Sequence, residues 1–575
     1  MRVSTSEAVV VGAGHNGLVT AVLLAKAGWS VTVLERNDVP GGAVRTEEVT
    51  LPGFRHDLMA MSLNAFVGSS FFREHNAELR EHGLELAAAP KAFGSIFPDG
   101  AFLGVSADHE ETLASVRAVS ETDAEAWQQL AARFGQTAPY LFELLTRPMP
   151  SASAATGILG GVRRLGRKWP LELSEIGAQS SREFVEQHFE SRELHALIAS
   201  WGMHLDLAPD LPLGALFAYL NAFEFAAHGL TIGRGGARTI IDALVSMLRA
   251  HGGELVTGVE AEHIVVDDGR AVAVLAGDDR YDAKRAVIAN LTPQGLYSQL
   301  LADEDAVPED IRRRAASYQY GPGGLAIHLA LDDLPPWRAP QAREFAYVHV
   351  GPYLEEMGLS YQQAVAGVLP ARPMIVVGQP TVADPTRAPD GKHVAWILVR
   401  MVPARIHGDA ASQIDARDWD EVKEPYADRV LAILEQYAPG LQERILGRFV
   451  LSPVDLERLN PNLIDGEGLG GSHHPAQNFF MRPFPGWSRY RTPIDRLYMC
   501  GASTWPGAGT GAGSGYLLGK QLTRPVSVRA RHFLRKRQRP RLTDTTTRAM
   551  RINPDARDGL SHHTPPEPQG GKAHV

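Results

Sequence analysis

Gly12, Gly14 and Gly17 stand at G-x-G-x-x-G spacing directly after the apolar run Val9-Val10-Val11. That spacing suits the grip of a phosphate pair. The first glycine permits a tight turn, the second lets backbone approach a pyrophosphate, and the third lets the next helix pack closely on the strand. His15 and Asn16 lie within the turn. Leu18, Ala21, Val22, Leu24 and Ala25 put an apolar stripe on that helix, whose N-terminus offers free N–H groups and a positive dipole end. Ser30–Leu34 reads as the next strand, and Glu35 at its end can accept hydrogen bonds from a ribose diol. A lone glycine triplet is weak evidence. Here it follows a strand, opens a helix and meets an acid at the expected distance, so residues 8–35 read as a dinucleotide-binding unit.

Two further glycine clusters extend this reading. Arg36 follows the acid, and after a short gap come Gly41-Gly42-Ala43-Val44-Arg45, where the glycine pair allows another close approach and Arg45 is available to a pyrophosphate. Near the other end, the apolar strand Leu497–Cys500 runs into Gly501-Ala502-Ser503-Thr504-Trp505-Pro506-Gly507-Ala508-Gly509-Thr510-Gly511-Ala512-Gly513, with a helix expected from about Ser514. On these stretches the chain resembles the FAD-dependent oxidoreductases of the phytoene desaturase, carotenoid ketolase and flavin amine oxidase superfamily. Three departures stand out: Ala43 where an arginine often follows the glycine pair, Ser503 for a glycine, and Trp505 for a histidine. The Asp or Glu that many relatives place after the first glycine of the last motif is Ala502 here.

The resemblance implies FAD as cofactor, held by all three clusters. The last of them, with Gly501, Ala502, Gly511 and Ala512, would aim a helix N-terminus at N1 and O2 of the isoalloxazine and stabilise the reduced ring's negative charge. It also implies that Val259, after the strand pattern Glu254–Val259, holds the adenine through its backbone. His56 and Asp57 fall where such proteins pass close to the flavin. Either could approach the ring or serve a structural contact.

For the substrate, Arg482, Trp487 and Trp505, together with His56, are the candidate cavity residues. Phe479, Phe480, Trp487 and Tyr490 would suit a large apolar or conjugated molecule, although such aromatics also build plain core. If position 505 faces the substrate, tryptophan enlarges the wall and removes a titratable group. No G-x-S-x-G, H-E-x-x-H or P-loop is present, so no catalytic acid, base or nucleophile is named. His473-His474 have no partners at metal-ligand spacing, and no metal is expected.

The expected fold is α/β: a Rossmann-type FAD-binding domain with a parallel sheet, interleaved with a substrate domain of mixed sheet plus helices. The FAD-binding domain takes residues 1–60, 231–296 and 479–523, and the substrate domain takes 61–230 and 297–478. Within these, Ala124–Phe142, Ser181–Trp201, Leu213–Ala227 and Thr239–His251 read as helices, and Ala326–Leu331, Met374–Val377 and Val394–Met401 as buried strands. Residues 524–575 read as a basic, largely disordered tail with 12 Lys/Arg against 4 Asp/Glu, which leaves −17 on the body of a chain whose net charge is −9.

The 575 residues are 44% hydrophobic and 21% charged, an ordinary globular composition. A single cysteine, Cys500, excludes a disulfide framework. The acidic body argues against nucleic acid. With no signal-peptide pattern and no apolar stretch of about 20 residues, a cytoplasmic location is expected. The basic patch Gly160–Trp169 reads as a solvated loop, or as a peripheral contact with an anionic membrane. The partner is a small molecule. The expected activity is hydride transfer from a lipophilic or conjugated substrate to flavin. A flavin oxidase acting on an amine or natural-product intermediate with dioxygen is the alternative. A non-enzymatic lipid-binding protein similar to the Rab GDP-dissociation inhibitors is the remote one.

Overall fold

Two seven-stranded sheets carry the chain between residues 3 and 524, which are those the computed structural model describes. The first sheet takes its strands from three separated stretches. β1 (Val3–Val11), helix α1 (His15–Lys26) and β2 (Val31–Leu34) begin it. After a long excursion, α2 (Thr239–Ala250), β3 (Glu254–Val256), β4 (His263–Asp267), β5 (Arg270–Ala276) and β6 (Asp279–Ala289) continue it. β7 (Leu497–Met499) and α3 (Gly513–Thr523) complete it.

The strand order is β4-β5-β6-β1-β2-β3, with β7 also paired to β6. β1 runs parallel to both β2 and β6, and Val11 sits opposite Leu34 on one side and Ala289 on the other. The C-terminal ends of these strands therefore share one edge, the place where open parallel sheets bind ligands. Val9 and Val10 are fully buried, as a β-branched run covered on both faces must be. One face carries α1, α2 and α3, with Leu18, Val22, Ile241, Leu244 and Leu518 in a common core. The other face is covered by residues 296–318 together with Phe484 and Ile494.

The second sheet runs in the order 445–451, 323–331, 393–402, 374–378, 347–350, 91–96, 102–106, antiparallel except for the pairing of 347–350 with 91–96. Helix Trp419–Tyr437 packs on one face. The other faces the cavity and the helices Glu121–Leu145, Arg192–Met203 and Gly214–His228. A buried ion network joins the two layers: Arg387 pairs with Asp57 and Asp384 and donates to Gly233 O (2.7 Å). Asp57 in turn accepts from the Ala237 amide (2.7 Å), and Asp384 from the Gly235 amide (2.6 Å).

Several expectations shift. Residues 63–84 put Leu63, Phe66, Phe71 and Leu79 into the cofactor core, and Leu296–Tyr318 cover that sheet's far face, so both segments contribute to the cofactor layer. The pattern Ser181–Trp201 is two helices, Ser181–His188 and Arg192–Met203. The break is held by Asp123, whose carboxylate accepts from the Glu190 (2.7 Å) and Ser191 (2.9 Å) amides. The patch Gly160–Trp169 is not a loop. Helix Ala152–Leu165 runs through it and Trp169 opens the next helix. A side chain at Gly161 would lie 2.2 Å from the buried Trp169 ring, so the glycine is the seat of the tryptophan. Ile158, Leu159, Arg163 and Arg164 remain exposed. Among the described residues no helix is long and apolar enough to cross a membrane. The basic tail lies outside the described residues.

Candidate cofactor and substrate site

A cavity of about 400 Å³ runs from the β1–α1 turn to the second sheet, within the usual range of ligand pockets. At its dinucleotide end the wall is main chain. Gly12 has φ +92°, a conformation that suits glycine. A Cβ at Gly17 would stand 2.4 Å from the Gly12 carbonyl oxygen, and one at Gly14 would stand 2.9 Å from Asn290 Nδ2. Gly14, His15 and Asn16 line the cavity, while Gly17 lies behind it and sets how closely α1 meets the turn. Gly41, Gly42 and Ala43 also line it. The Gly41 amide donates to Ala13 O (3.1 Å), so the second glycine cluster is fastened onto the first.

Glu35 is buried, with its carboxylate accepting from the amides of Ala13 (2.9 Å) and Asn37 (3.0 Å). A carboxylate has about four acceptor sites, so two contacts leave capacity for ribose hydroxyls. Val259 donates its amide to Glu35 O (2.9 Å) and lines the cavity with Arg36, whose guanidinium stands 3.5 Å from Glu260. Gly501 and Ala502 enter from the β7 end. A Cβ at Gly501 would lie 2.7 Å from Asn290 Oδ1.

Asn290 is therefore central, and the sequence reading missed it. It follows β6 directly, touches all the glycines just named except the 41–42 pair, and donates Nδ2–H to Gly12 O (3.2 Å). Its signal was the one that marked Glu35: a polar residue ending a buried apolar strand, here Ala286–Ala289.

Seven expected site residues stand elsewhere. Arg45 pairs with Glu47, with Nε 2.8 Å from the carboxylate, and does not line the cavity. Gly511 and Ala512 sit behind the wall. The Gly511 carbonyl oxygen lies 3.1 Å from His15 Nε2, Ala512 is fully buried, and α3 docks on α1 through the Gly515 amide and Asn16 Oδ1 (3.0 Å). His56 is buried beneath the second sheet, 2.8 Å from Thr50 Oγ1 and edge-on to His328. Burial holds its imidazole neutral, with a pKa of about 4. Trp487 packs on the far face of the cofactor sheet.

Trp505 is core: its Nε1–H donates to Arg147 O (2.8 Å), and its ring packs beside Phe479. Arg482 is fully buried and donates to six carbonyls, among them Leu469 (2.8 Å), Gly471 (3.0 Å) and Ala502 (2.9 Å). It holds the 469–477 loop in shape, so it positions the wall without facing the cavity. Ser503, in place of a family glycine, donates to Gly470 O (2.8 Å) and ties the same loop to the last motif.

The substrate end is lined by Met59, Leu205, Leu398 and Met401 and by four polar groups, His204, Asp206, Arg400 and Glu467. Burial pushes the Glu467 carboxyl up to about 7, although it accepts the Leu469 (2.6 Å) and Gly471 (2.8 Å) amides. Burial likewise raises Asp206, which accepts from Tyr361 Oη (3.0 Å), and drives His204 well below the ordinary histidine range.

The flavin-containing amine oxidoreductase family matches residues 17–512. The chain belongs to that family. It is 29% identical over 548 residues to pyridine nucleotide-disulfide oxidoreductase domain-containing protein 2 of Rattus norvegicus, covering 88% of this chain and 92% of that one. It is 27% identical to one of the polypeptides of the limonene dehydrogenase of Castellaniella defragrans (92% and 96% covered) and 25% identical to the neurosporene-forming phytoene desaturase of Cereibacter sphaeroides (87% and 91%). Among solved structures, an oxidoreductase from Methanosarcina mazei shares the fold at TM-score 0.55 and 20% identity, with 89% and 98% covered. A putrescine oxidase double mutant shares it at TM-score 0.54 and 17% identity, with 91% and 98% covered. The chain is thus a flavin-containing oxidoreductase with FAD as its cofactor. The glycine-walled cleft, closed to any Cβ at Gly14 and Gly17, and the buried Glu35 acceptor fit a dinucleotide of this kind.

Proposed function

We propose that this protein is an FAD-dependent dehydrogenase of the desaturase type, taking hydride from a lipophilic or conjugated substrate. The observation that carries the reading is the continuity of one cavity, from the glycine-walled dinucleotide end to a lobe against the second sheet where Met59, Leu205, Leu398 and Met401 supply apolar wall. Bound FAD supplies the two-electron acceptor, its N5, and the protein supplies binding, orientation and electrostatics. Gly12, Gly14, Glu35, Arg36, Gly41, Gly42, Ala43 and Val259 would hold the dinucleotide, with Gly501 and Ala502 at the other end of the cofactor. Leu398, Met401 and Leu205 would exclude water from the reacting carbon. The similarity to a limonene dehydrogenase polypeptide and to phytoene desaturases supports an unsaturated hydrocarbon skeleton.

A second reading, oxidation of an amine with dioxygen as acceptor, draws on the shared fold of putrescine oxidase and on Asp206 and Glu467 at the cavity wall. The test is anaerobic mixing of the coloured protein with terpenes, polyenes and alkylamines. Bleaching by an unsaturated hydrocarbon, with reoxidation by quinone, supports the dehydrogenase. Bleaching by amines alone, with hydrogen peroxide released in air, supports the oxidase.

A further inference from the structure

Arg400 stands on the strand His393–Val402, opposite Gly324 and Met374, and its side chain lines the cavity. Two of its donors are spent on the end of helix Arg192–Met203: Nη1 donates to His204 O (3.2 Å), and Nη2 lies 3.2 Å from His204 Nδ1. Its Nε is buried and has no partner. Among the described residues no carboxylate lies within ion-pair distance of this guanidinium. Of the two acids at this end of the cavity, Glu467 gives one oxygen to the Leu469 amide and the other to the Gly471 amide, and Asp206 accepts from Tyr361 Oη; burial raises both carboxyls toward their neutral form. His204 and His349, which also face this arginine, are neutral through burial and supply no negative charge.

Arg400 is only partly buried, so its unpaired guanidinium faces the cavity, where it is a ready partner for an anion. The helix end takes one donor at the His204 carbonyl and offers only the partial negative charge of its dipole, so free donors and a missing full counter-charge remain. A planar carboxylate meets both needs, because it can take parallel N–H donors and brings the missing charge.

We propose that Arg400 receives the carboxylate end of an amphipathic substrate whose apolar body lies along Leu398, Met401 and Leu205. This inference rests on the dehydrogenase reading and deepens it: the molecule oxidised is an unsaturated or long-chain carboxylic acid, held head-first at the second sheet.

Decanoate, decanol and decylamine, titrated separately into the FAD-loaded full chain, test it by calorimetry and by perturbation of the flavin spectrum. The proposal expects decanoate to bind about tenfold or more tighter than decanol. Arg400→Gln removes that preference and leaves decanol binding unchanged, while Arg400→Lys keeps part of it. Equal binding of acid and alcohol overturns the proposal, as does tightest binding of the amine, or an Arg400→Gln variant that weakens all three probes alike. Thermal melting of both variants confirms that each is folded. The FAD content of the wild type is read separately, so a protein that holds flavin and shows no carboxylate preference sinks this inference and leaves the oxidoreductase reading standing.

Discussion

At one end of the cavity Gly12, Gly14, Gly41 and Gly501 bring main chain to the surface, and a side chain at Gly14 or Gly501 would collide with Asn290. At the other end Leu398, Arg400 and Met401 project from one strand, and loop 466–470 is shaped from behind by Arg482. The first end recognises its ligand by how closely backbone can approach. The second recognises it by which side chains are present. A backbone wall is fixed by how closely its glycines approach their neighbours, so it tolerates little change. A side-chain wall can change its ligand by substitution without changing the fold.

The largest effect expected from this contrast is at the backbone wall. Gly14→Val forces a branched side chain against Asn290, and the purified variant is expected to carry no FAD, measured as flavin released per chain on heating. Wild-type flavin content would break the comparison at once. Next in size is the join between the two ends. Arg387→Ala leaves Asp57 and Asp384 buried without their cation, and removing one partner of such a network costs about 3–5 kcal/mol. Urea unfolding is expected to show a loss of that order.

Glu467 sharpens the substrate end. Its carboxyl is raised from 4.5 to about 7 by burial, so between those values the folded chain binds a proton that the unfolded chain has released. This group's contribution is complete below pH 4.5 and is lost as pH rises through 7. Glutamine stays neutral throughout. The stability of Glu467→Gln relative to wild type should therefore rise across that window, by up to about 3 kcal/mol. A constant difference in urea unfolding at several pH values would show that the carboxyl is not perturbed. The smallest effect is at Trp505. Trp505→Phe loses one hydrogen bond to Arg147 O, worth about 1 kcal/mol, and is expected to lower the melting temperature slightly while leaving substrate preference unchanged. A changed preference would return Trp505 to the cavity wall.

The backbone end was legible because each of its glycine clusters is a local pattern. Glycine spacing, a β-branched run and a terminal acid at Glu35 together specify strand, turn, helix and strand, and the structure puts Gly12, Gly14, Glu35 and Gly41 around one cleft. The substrate end was not legible in the same way. Trp505 lies within the last cofactor motif and Arg482 upstream of it, and their types are the same whether they face a ligand or the core; tertiary packing turned both inward. His56 and Asp57 were drawn to the layer junction by His328 and Arg387, from segments about 270 and 330 residues away. Arg400 was passed over inside an apolar strand. A lone cation in HVAWILVRMV was itself a signal, because a charge within an apolar strand calls for a specific partner or site.

One cavity joins the glycine-walled cleft to the lobe against the second sheet, and the proposed reaction removes hydride there. Anaerobic titration of the purified yellow protein with an unsaturated terpenoid or polyene carboxylic acid tests this most directly, followed by the loss of the oxidised flavin absorption. Stoichiometric bleaching is expected from such a substrate and none from a saturated amine of the same length. Flavin that stays oxidised with every unsaturated compound yet bleaches with the amine would contradict it.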